Sequence, residues 1–281
     1  MPEGPEIRRE ADRIERVLLG RTLAHVELTL PHLLPFAEGL IGTTVTGIDT
    51  RGKALLTHFS DGRTLYSHNQ LYGKWYVCRR DRPPATNRSL RVALHTETHS
   101  ALLMSASSIE LLDPESLAVF PPLARLGPDV LSPGLVWREV AARLQAPDYA
   151  GRSLGALYLD QHFIAGIGNY LRSEILFAAG LHPALKPRLL TRAETGALAR
   201  ATLAISQRAY AMAGVTNRES WVTRLKRQGL ARRHWRFAVF DRAGEPCHAC
   251  GTTIERIEVG TRRLYLCPAC QPSSPSVSRP R

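Results

Sequence analysis

The sequence predicts an α+β protein of several domains: an antiparallel β-sandwich or barrel behind one N-terminal helix, then a helical stretch, then a cysteine-bearing module. Three observations carry this reading. Residues 22–110 hold short β-branched or aromatic segments, often alternating apolar with polar. Beyond the turn-rich stretch RLGPDVLSPGL (125–135), the apolar spacing becomes helical. Four of the five cysteines crowd into residues 247–270.

The chain opens MPEGPEIRRE. Gly4 reads as an N-cap, Pro5 fits the first helical position, and Glu6 complements the helix dipole. Ile7, Ala11, Ile14, Val17 and Leu18 recur at helical spacing, and Gly20 supplies a left-handed stop. Pro2 and Glu3 are left over by this cap. Seven segments then read as strands: TLAHVELTL, TTVTGI, KALLTHF, TLYSH, KWYVC, LRVALHT and ALLMS, with Asp61-Gly62 as a hairpin turn. Helical candidates follow: VWREVAARLQ, SLGALYLDQHFIAG with Ser153 as N-cap, and NYLRSEILFAAG with Asn169 as N-cap and Gly180 as stop. In TRAETGALARATLAISQRAYAMAG, Thr191 and Glu194 form a capping box. Residues 218–236 are basic, with interleaved Trp and little periodicity, and show no clear amphipathic helix. The tail QPSSPSVSRPR reads as disordered. The expected divisions are 1–124, a linker with a first helix over 125–150, a helical domain over 151–236, a metal module over 237–271, and the tail 272–281.

The 281 residues carry a net charge of +12 and a pI of about 10.0. From Arg218 onward, thirteen Lys and Arg face five Asp and Glu, so the excess gathers near the C-terminus. A polyanionic partner is expected, and nucleic acid fits better than a membrane surface. No run of eighteen apolar residues appears, and the N-terminus lacks the apolar core of a signal peptide. A soluble, cytoplasmic monomer is the expectation.

Cys247-x2-Cys250 and Cys267-x2-Cys270, sixteen residues apart, match a four-thiolate zinc ribbon. Each tight turn aims two sulfurs at one tetrahedral ion, and a filled shell leaves no place for water, so a single structural zinc is expected. His248 is then a surplus ligand, expected to be exposed, and Cys78 reads as a small buried hydrophobe. In GIGNYLRSEIL, Gly166 and Gly168 precede a helix whose N-terminus suits a phosphate, although a plain turn with an Asn cap also accounts for it. Lys53, in TRGKALL, sits in a glycine-containing turn where a solvated lysine is the commoner occupant. In SHNQLYGKW, an apolar residue among polar ones at a loop tip is suited to enter a base stack, or to tuck inward in an ordinary hairpin.

Taken together, PEGPE after Met1, RGKALL, GIGNY, the cysteine ribbon and an arginine five residues before its third cysteine resemble the formamidopyrimidine-DNA glycosylase/endonuclease VIII family of bacterial base-excision repair enzymes. The resemblance covers nearly the whole chain, and HNQLYG and GPDVL are similar to the endonuclease VIII branch; the purine-lesion branch has methionine where Leu71 stands. It implies a helix-flanked β-sandwich, a helix–two-turn–helix domain and a zinc-ribbon β-hairpin, with damaged double-stranded DNA bound between the domains. It also implies bifunctional catalysis: excision of oxidised bases, chiefly pyrimidines, then strand cleavage by β,δ-elimination. By the resemblance, Pro2 is the nucleophile once Met1 is removed, Glu3 the general acid/base, Lys53 a phosphate contact that assists β-elimination, and Arg262 the hairpin arginine of δ-elimination. Arg263 follows directly, and a one-residue slip would pass it that role. Gln70, Arg125 and Asn169 match DNA-contacting positions, and Gln70, Leu71 and Tyr72 match the triad filling the gap of an extruded nucleotide. Glu6 and Glu174 are left with helix-terminal and helix-interior roles. The resemblance also implies a bacterial, nucleoid-associated location.

Chemistry supports Pro2 independently. Attack on a sugar C1′ needs a neutral amine. At pH 7 roughly one α-amino group in seven is neutral, against about one lysine in 2,500. Two other readings stay open: the purine-lesion branch, and a non-catalytic zinc-ribbon protein that binds damaged DNA. SWVTRLKRQGLARRHW is unlike the family where a lesion-covering loop is expected, which leaves the recognised base open.

Overall fold

The computed structural model describes residues 2–273; Met1 and residues 274–281, most of the expected disordered tail, lie outside the described residues. The chain forms two compact units, Met1–Arg125 and Leu126–Arg281.

In the first unit, helix α1 spans Gly4–Leu18. Its N-cap is Glu3 rather than the expected Gly4, and Pro5 follows at the second helical position. A reciprocal capping box displaces the start: the Glu6 carboxylate accepts the Glu3 N–H at 3.1 Å, and the Glu3 side chain accepts the Glu6 N–H. Ile7, Ala11, Ile14 and Leu18 form the buried stripe, and Gly20 turns the chain at φ 70°. Eight strands follow: β1 His25–Leu28, β2 Val45–Arg51, β3 Ala54–Phe59, β4 Thr64–His68, β5 Lys74–Arg79, β6 Leu90–His95, β7 His99–Met104 and β8 Ser108–Leu112. Seven coincide with the segments expected; β8, which pairs with β4, was not among them. The strands form two antiparallel four-stranded sheets, ordered β1-β6-β7-β5 and β2-β3-β4-β8, which is a sandwich rather than a barrel. Between them lie Val26, Leu28, Val45, Ile48, Leu55, Leu65, Trp75, Val92, Leu94 and Leu103. Helix α1 packs against strands of both sheets, β2 and β3 on one and β5 and β7 on the other. That ties its N-terminus to the sandwich.

The second unit is built on α2 (Trp137–Gln145), α3 (Asn169–Ala179) and α4 (Arg192–Ala211). α4 starts on the expected capping box, with Thr191 Oγ1 accepting from Glu194 N at 3.2 Å and Glu194 Oε2 accepting from Thr191 N at 2.8 Å. The helix expected over SLGALYLDQHFIAG shrinks to one turn, Leu154–Leu157. Asp160 ends it by accepting the His162 N–H at 2.9 Å, which stabilises a turn in place of a third helical repeat. Residues 218–236 are the other correction. Glu219–Arg227 forms α5, an amphipathic helix with Val222 and Leu225 inward and Arg224, Lys226 and Arg227 in its last turn, and Arg232–Trp235 forms α6. Two apolar residues three apart are too short a pattern to register as periodicity in the sequence. The unit ends in a hairpin, β9 Glu255–Val259 with β10 Arg262–Leu266, which packs on α3.

Candidate active site and metal centre

In the first unit, Pro2 is half-buried directly ahead of α1, and Glu3, its N-cap, is 3% exposed. The capping box therefore fixes a buried carboxylate directly after Pro2 in the chain. Lys53 and Gly52 make the two-residue turn that joins β2 to β3, where Arg51 pairs with Ala54 and Gly52 takes φ 63°. His68, opposite Ala54 on β4, is pushed below the usual imidazole range by burial and then by the Lys53 charge. Its Nδ1 accepts the Gln70 N–H at 3.0 Å, so a neutral ring carries its proton on Nε2.

The loop after His68 crosses from one sheet to the other. Its tip is exposed, Leu71 at 59% and Tyr72 at 71%, whereas its base is held tightly. The Gly73 N–H donates to the Asn69 carbonyl at 2.7 Å, Ser107 Oγ donates to Gln70 Oε1 at 2.8 Å, and the Arg88 guanidinium donates to the Tyr72 carbonyl. Leu71 does not tuck inward. Arg125 closes the short helix Pro121–Ala124 as an exposed side chain at the end of the unit.

In the second unit, the loop before α3 is organised by Gln161, which no motif in the sequence marks. The Gln161 amide donates to the Leu159 and Ile167 carbonyls at 3.1 and 2.8 Å, and its Oε1 accepts the Gly166 N–H at 3.1 Å. Gly166 takes φ 95°. Gly168, not Asn169, is the N-cap. Asn169 sits at the first helical position because Arg172 engages its side chain: Nη2 donates to Asn169 Oδ1 at 2.7 Å. The fully buried Arg172 also donates to the carbonyls of Gly155 at 2.7 Å and Arg263 at 2.9 Å, so one guanidinium ties together the single helical turn Leu154–Leu157, the start of α3 and the hairpin. Glu174 does more than fill a helix interior. Its carboxylate accepts the backbone N–H groups of Ala238, Val239 and Phe240 at 2.8, 2.8 and 2.9 Å and the Thr216 hydroxyl at 2.6 Å. An arginine and a glutamate within the apolar run NYLRSEILF were the available signal.

Arg262 opens β10, and both it and Arg263 are exposed. Alternation along the strand puts Arg262 on the face of Leu264 and Leu266, which join the helical core, and Arg263 on the face of Tyr265, which packs among the cysteines.

The four cysteine sulfurs lie within 4.8 Å of one another. Cys250 Sγ is 3.5 Å from both Cys267 and Cys270, and Cys247 is 4.0 Å from Cys270. Tetrahedral zinc with Zn–S bonds near 2.3 Å separates its sulfurs by about 3.8 Å, so the set fits one ion. Hydrogen bonds from Thr252 bring Cys250 down to about 6, whereas burial and the neighbouring sulfurs drive Cys270 far up. Four thiolates at this spacing need a cation. The second knuckle is tied to the helices through buried Gln271, which accepts the Cys267 N–H at 3.0 Å and donates to the Leu181 carbonyl at 2.9 Å. His248 is half-buried rather than exposed. Its ring lies 5.7 Å from Trp221 of α5, and burial first, then the Arg242 charge, lowers it to about 4.

Comparison with known proteins agrees with this geometry. Residues 1–108 match the formamidopyrimidine-DNA glycosylase N-terminal domain, 126–220 its H2TH domain, and 244–272 the zinc finger found in FPG and IleRS. The chain is 48% identical over 271 residues to Endonuclease 8 of Escherichia coli (strain K12 / DH10B), covering 96% of this chain and 100% of that protein. The chain belongs to the formamidopyrimidine-DNA glycosylase/endonuclease 8 family. Endonuclease 8 of Shigella sonnei (strain Ss046) matches at the same identity and coverage. A solved structure of Lactococcus lactis Fpg, in complex with an abasic site containing DNA, superposes with a TM-score of 0.79 at 21% identity, covering 96% of this chain and 100% of that one. Members of the family are DNA glycosylase/AP lyases, and the expected fold, enzyme class and single zinc hold for this member. Among the described residues, no helix is long and apolar enough to cross a membrane.

Proposed function

We propose that this glycosylase/lyase removes oxidised bases, chiefly pyrimidines, from double-stranded DNA and cleaves the strand by β- and then δ-elimination, leaving a one-nucleotide gap with phosphates at both ends. The observation that carries the reading is Pro2 immediately ahead of the buried N-cap Glu3. After removal of Met1, the neutral Pro2 amine attacks C1′ and the bond to the base breaks. Glu3 supplies the proton for the opening sugar oxygen. A secondary amine gives a permanently cationic iminium. Glu3, left as a carboxylate after protonating the sugar oxygen, takes the C2′ proton; the iminium draws in that bond's electrons and the 3′ phosphate is expelled. A second elimination, with loss of the C4′ proton to the same carboxylate after it has exchanged its proton with water, expels the 5′ phosphate. Lys53 and Arg262 hold those phosphates. Arg125, and Asn169 through the NH2 group left beside its engaged Oδ1, bind flanking phosphates. Gln70, Leu71 and Tyr72 enter the gap of the extruded nucleotide, as the exposed tip on a rigid base allows. The functional divisions are a catalytic sandwich over 1–124, a connecting segment over 125–150, a helix–two-turn–helix part over 151–236 and the zinc finger over 237–271. The setting is the bacterial cytoplasm and its nucleoid DNA.

Borohydride trapping on abasic-site DNA is the test. The mature enzyme should trap covalently, and a form that retains Met1, in which the Pro2 nitrogen is an amide, should not. Failure of the wild type to trap, with loss of Met1 confirmed by mass, overturns the nucleophile. Excision of dihydrouracil should exceed that of 8-oxoguanine from matched duplexes; the reverse order assigns the chain to the purine-lesion branch.

A further inference from the structure

Glu10 has no part in the roles above. It lies on α1, and its Oε2 accepts a 2.6 Å hydrogen bond from Asn69 Nδ2. Asn69 is 2% exposed, yet the three residues after it form the exposed loop tip. The geometry of the loop converges on Asn69. Its carbonyl takes the Gly73 N–H, and a Cβ on Gly73 would meet that same carbonyl oxygen at 2.5 Å. Gln70, the next residue, is held at φ 50°, a left-handed conformation unusual outside glycine.

We propose that Glu10 is a positioning residue: its carboxylate anchors Asn69 and so fixes the Gln70–Leu71–Tyr72 tip against the helix that presents Pro2. Gap filling and nucleophile presentation are then coupled through one hydrogen bond within one unit. The proposal rests on the reading of the tip as gap-filling.

The anchor is sensitive to protonation. Burial raises the Glu10 carboxyl to about 7; the Asn69 hydrogen bond and the charges of Arg13 on α1 and Lys74 on β5 oppose the rise, and Glu6 adds to it. On β7 the ionisable His99 lies at the end paired with Arg79, away from Lys74 and Met104; His58 of β3 is engaged by Asp49 of β2 at 3.2 Å; and His68, which takes the Gln70 N–H, is held below the usual imidazole range by burial and the Lys53 charge. A carboxylate accepts a hydrogen bond more strongly than a neutral acid does. The anchor is therefore firm above the Glu10 midpoint and slack below it.

The test measures abasic-site cleavage on a duplex and on the matching single strand, from about pH 6 to 8.5, for wild type, E10Q, E10A, N69A and L71A. The ratio of the two rates cancels titration of the proline amine and Glu3, which serve both substrates. The wild-type ratio should fall about fivefold toward low pH, the worth of roughly one net hydrogen bond. E10Q, a neutral acceptor throughout, should give a flat profile, and E10A and N69A a low, flat one, with single-strand borohydride trapping intact. If L71A lowers the ratio but E10A and N69A, both folded by urea titration, leave it unchanged, the anchor is wrong and gap filling stands. Persistence of the wild-type pH profile in E10Q also overturns the anchor. If L71A leaves the ratio unchanged, the gap-filling reading fails and the proposal with it.

Discussion

Arg172 shows how much one buried side chain can organise. Its guanidinium satisfies three acceptors drawn from a single helical turn, the start of α3 and the zinc hairpin. R172M should fill the space but leave those acceptors without a donor, at a cost of about 3 kcal/mol. Urea unfolding should show the loss, and affinity for abasic-site DNA should fall with it as Asn169 and the hairpin lose register. Two titrating residues in the first unit give pH dependences of opposite sign. His68 is depressed when folded, so below about 6.5 the unfolded chain binds the extra proton and stability falls as pH drops. Glu10 is raised from 4.5 to about 7, so between those values the folded chain holds the extra proton and stability falls as pH rises. The stability difference between wild type and H68Q should therefore grow from about pH 5 to 7, and that between wild type and E10Q should shrink. Urea midpoints across that range check both signs.

At the scale of elements, the loop between β4 and β5 is rigid where it leaves the sheets and bare at its tip. G73A forces a Cβ into the Asn69 carbonyl oxygen, where neither backbone can yield cheaply. Its cost should be about 1–3 kcal/mol, with duplex cleavage reduced more than single-strand cleavage. The hairpin of β9 and β10 depends on its metal. C250S should lower bound zinc from one ion per chain, measured by atomic emission, and a strong chelator should unfold the hairpin and abolish tight DNA binding.

For the whole molecule, a net charge of +12 makes DNA affinity strongly dependent on salt. K53Q should reduce the slope of log K against log salt by about 0.9, the signature of one lost phosphate contact. A slope equal to that of wild type would remove Lys53 from the DNA interface.

The sequence by itself determined the family, the order of sandwich, helices and zinc finger, and the cysteine ligand set. These rest on local signals: alternation, capping boxes and the spacing of C-x2-C pairs. It did not determine β8, whose strand character depends on pairing with β4. It misplaced two helix starts because the choice of cap was made by partners: Glu6 recruits Glu3, and Arg172 takes the side chain of Asn169. It left Gln271 and Glu10 unremarked because their partners, the Leu181 carbonyl and the Asn69 amide, lie 90 and 59 positions away in the chain, and Gln161 because its hydrogen bonds to the Leu159 and Ile167 carbonyls exist only once the loop has closed. An amide or a carboxylate looks the same in a sequence whether it is solvated or holds a loop. Only tertiary burial, which removes water as the alternative partner, makes that difference.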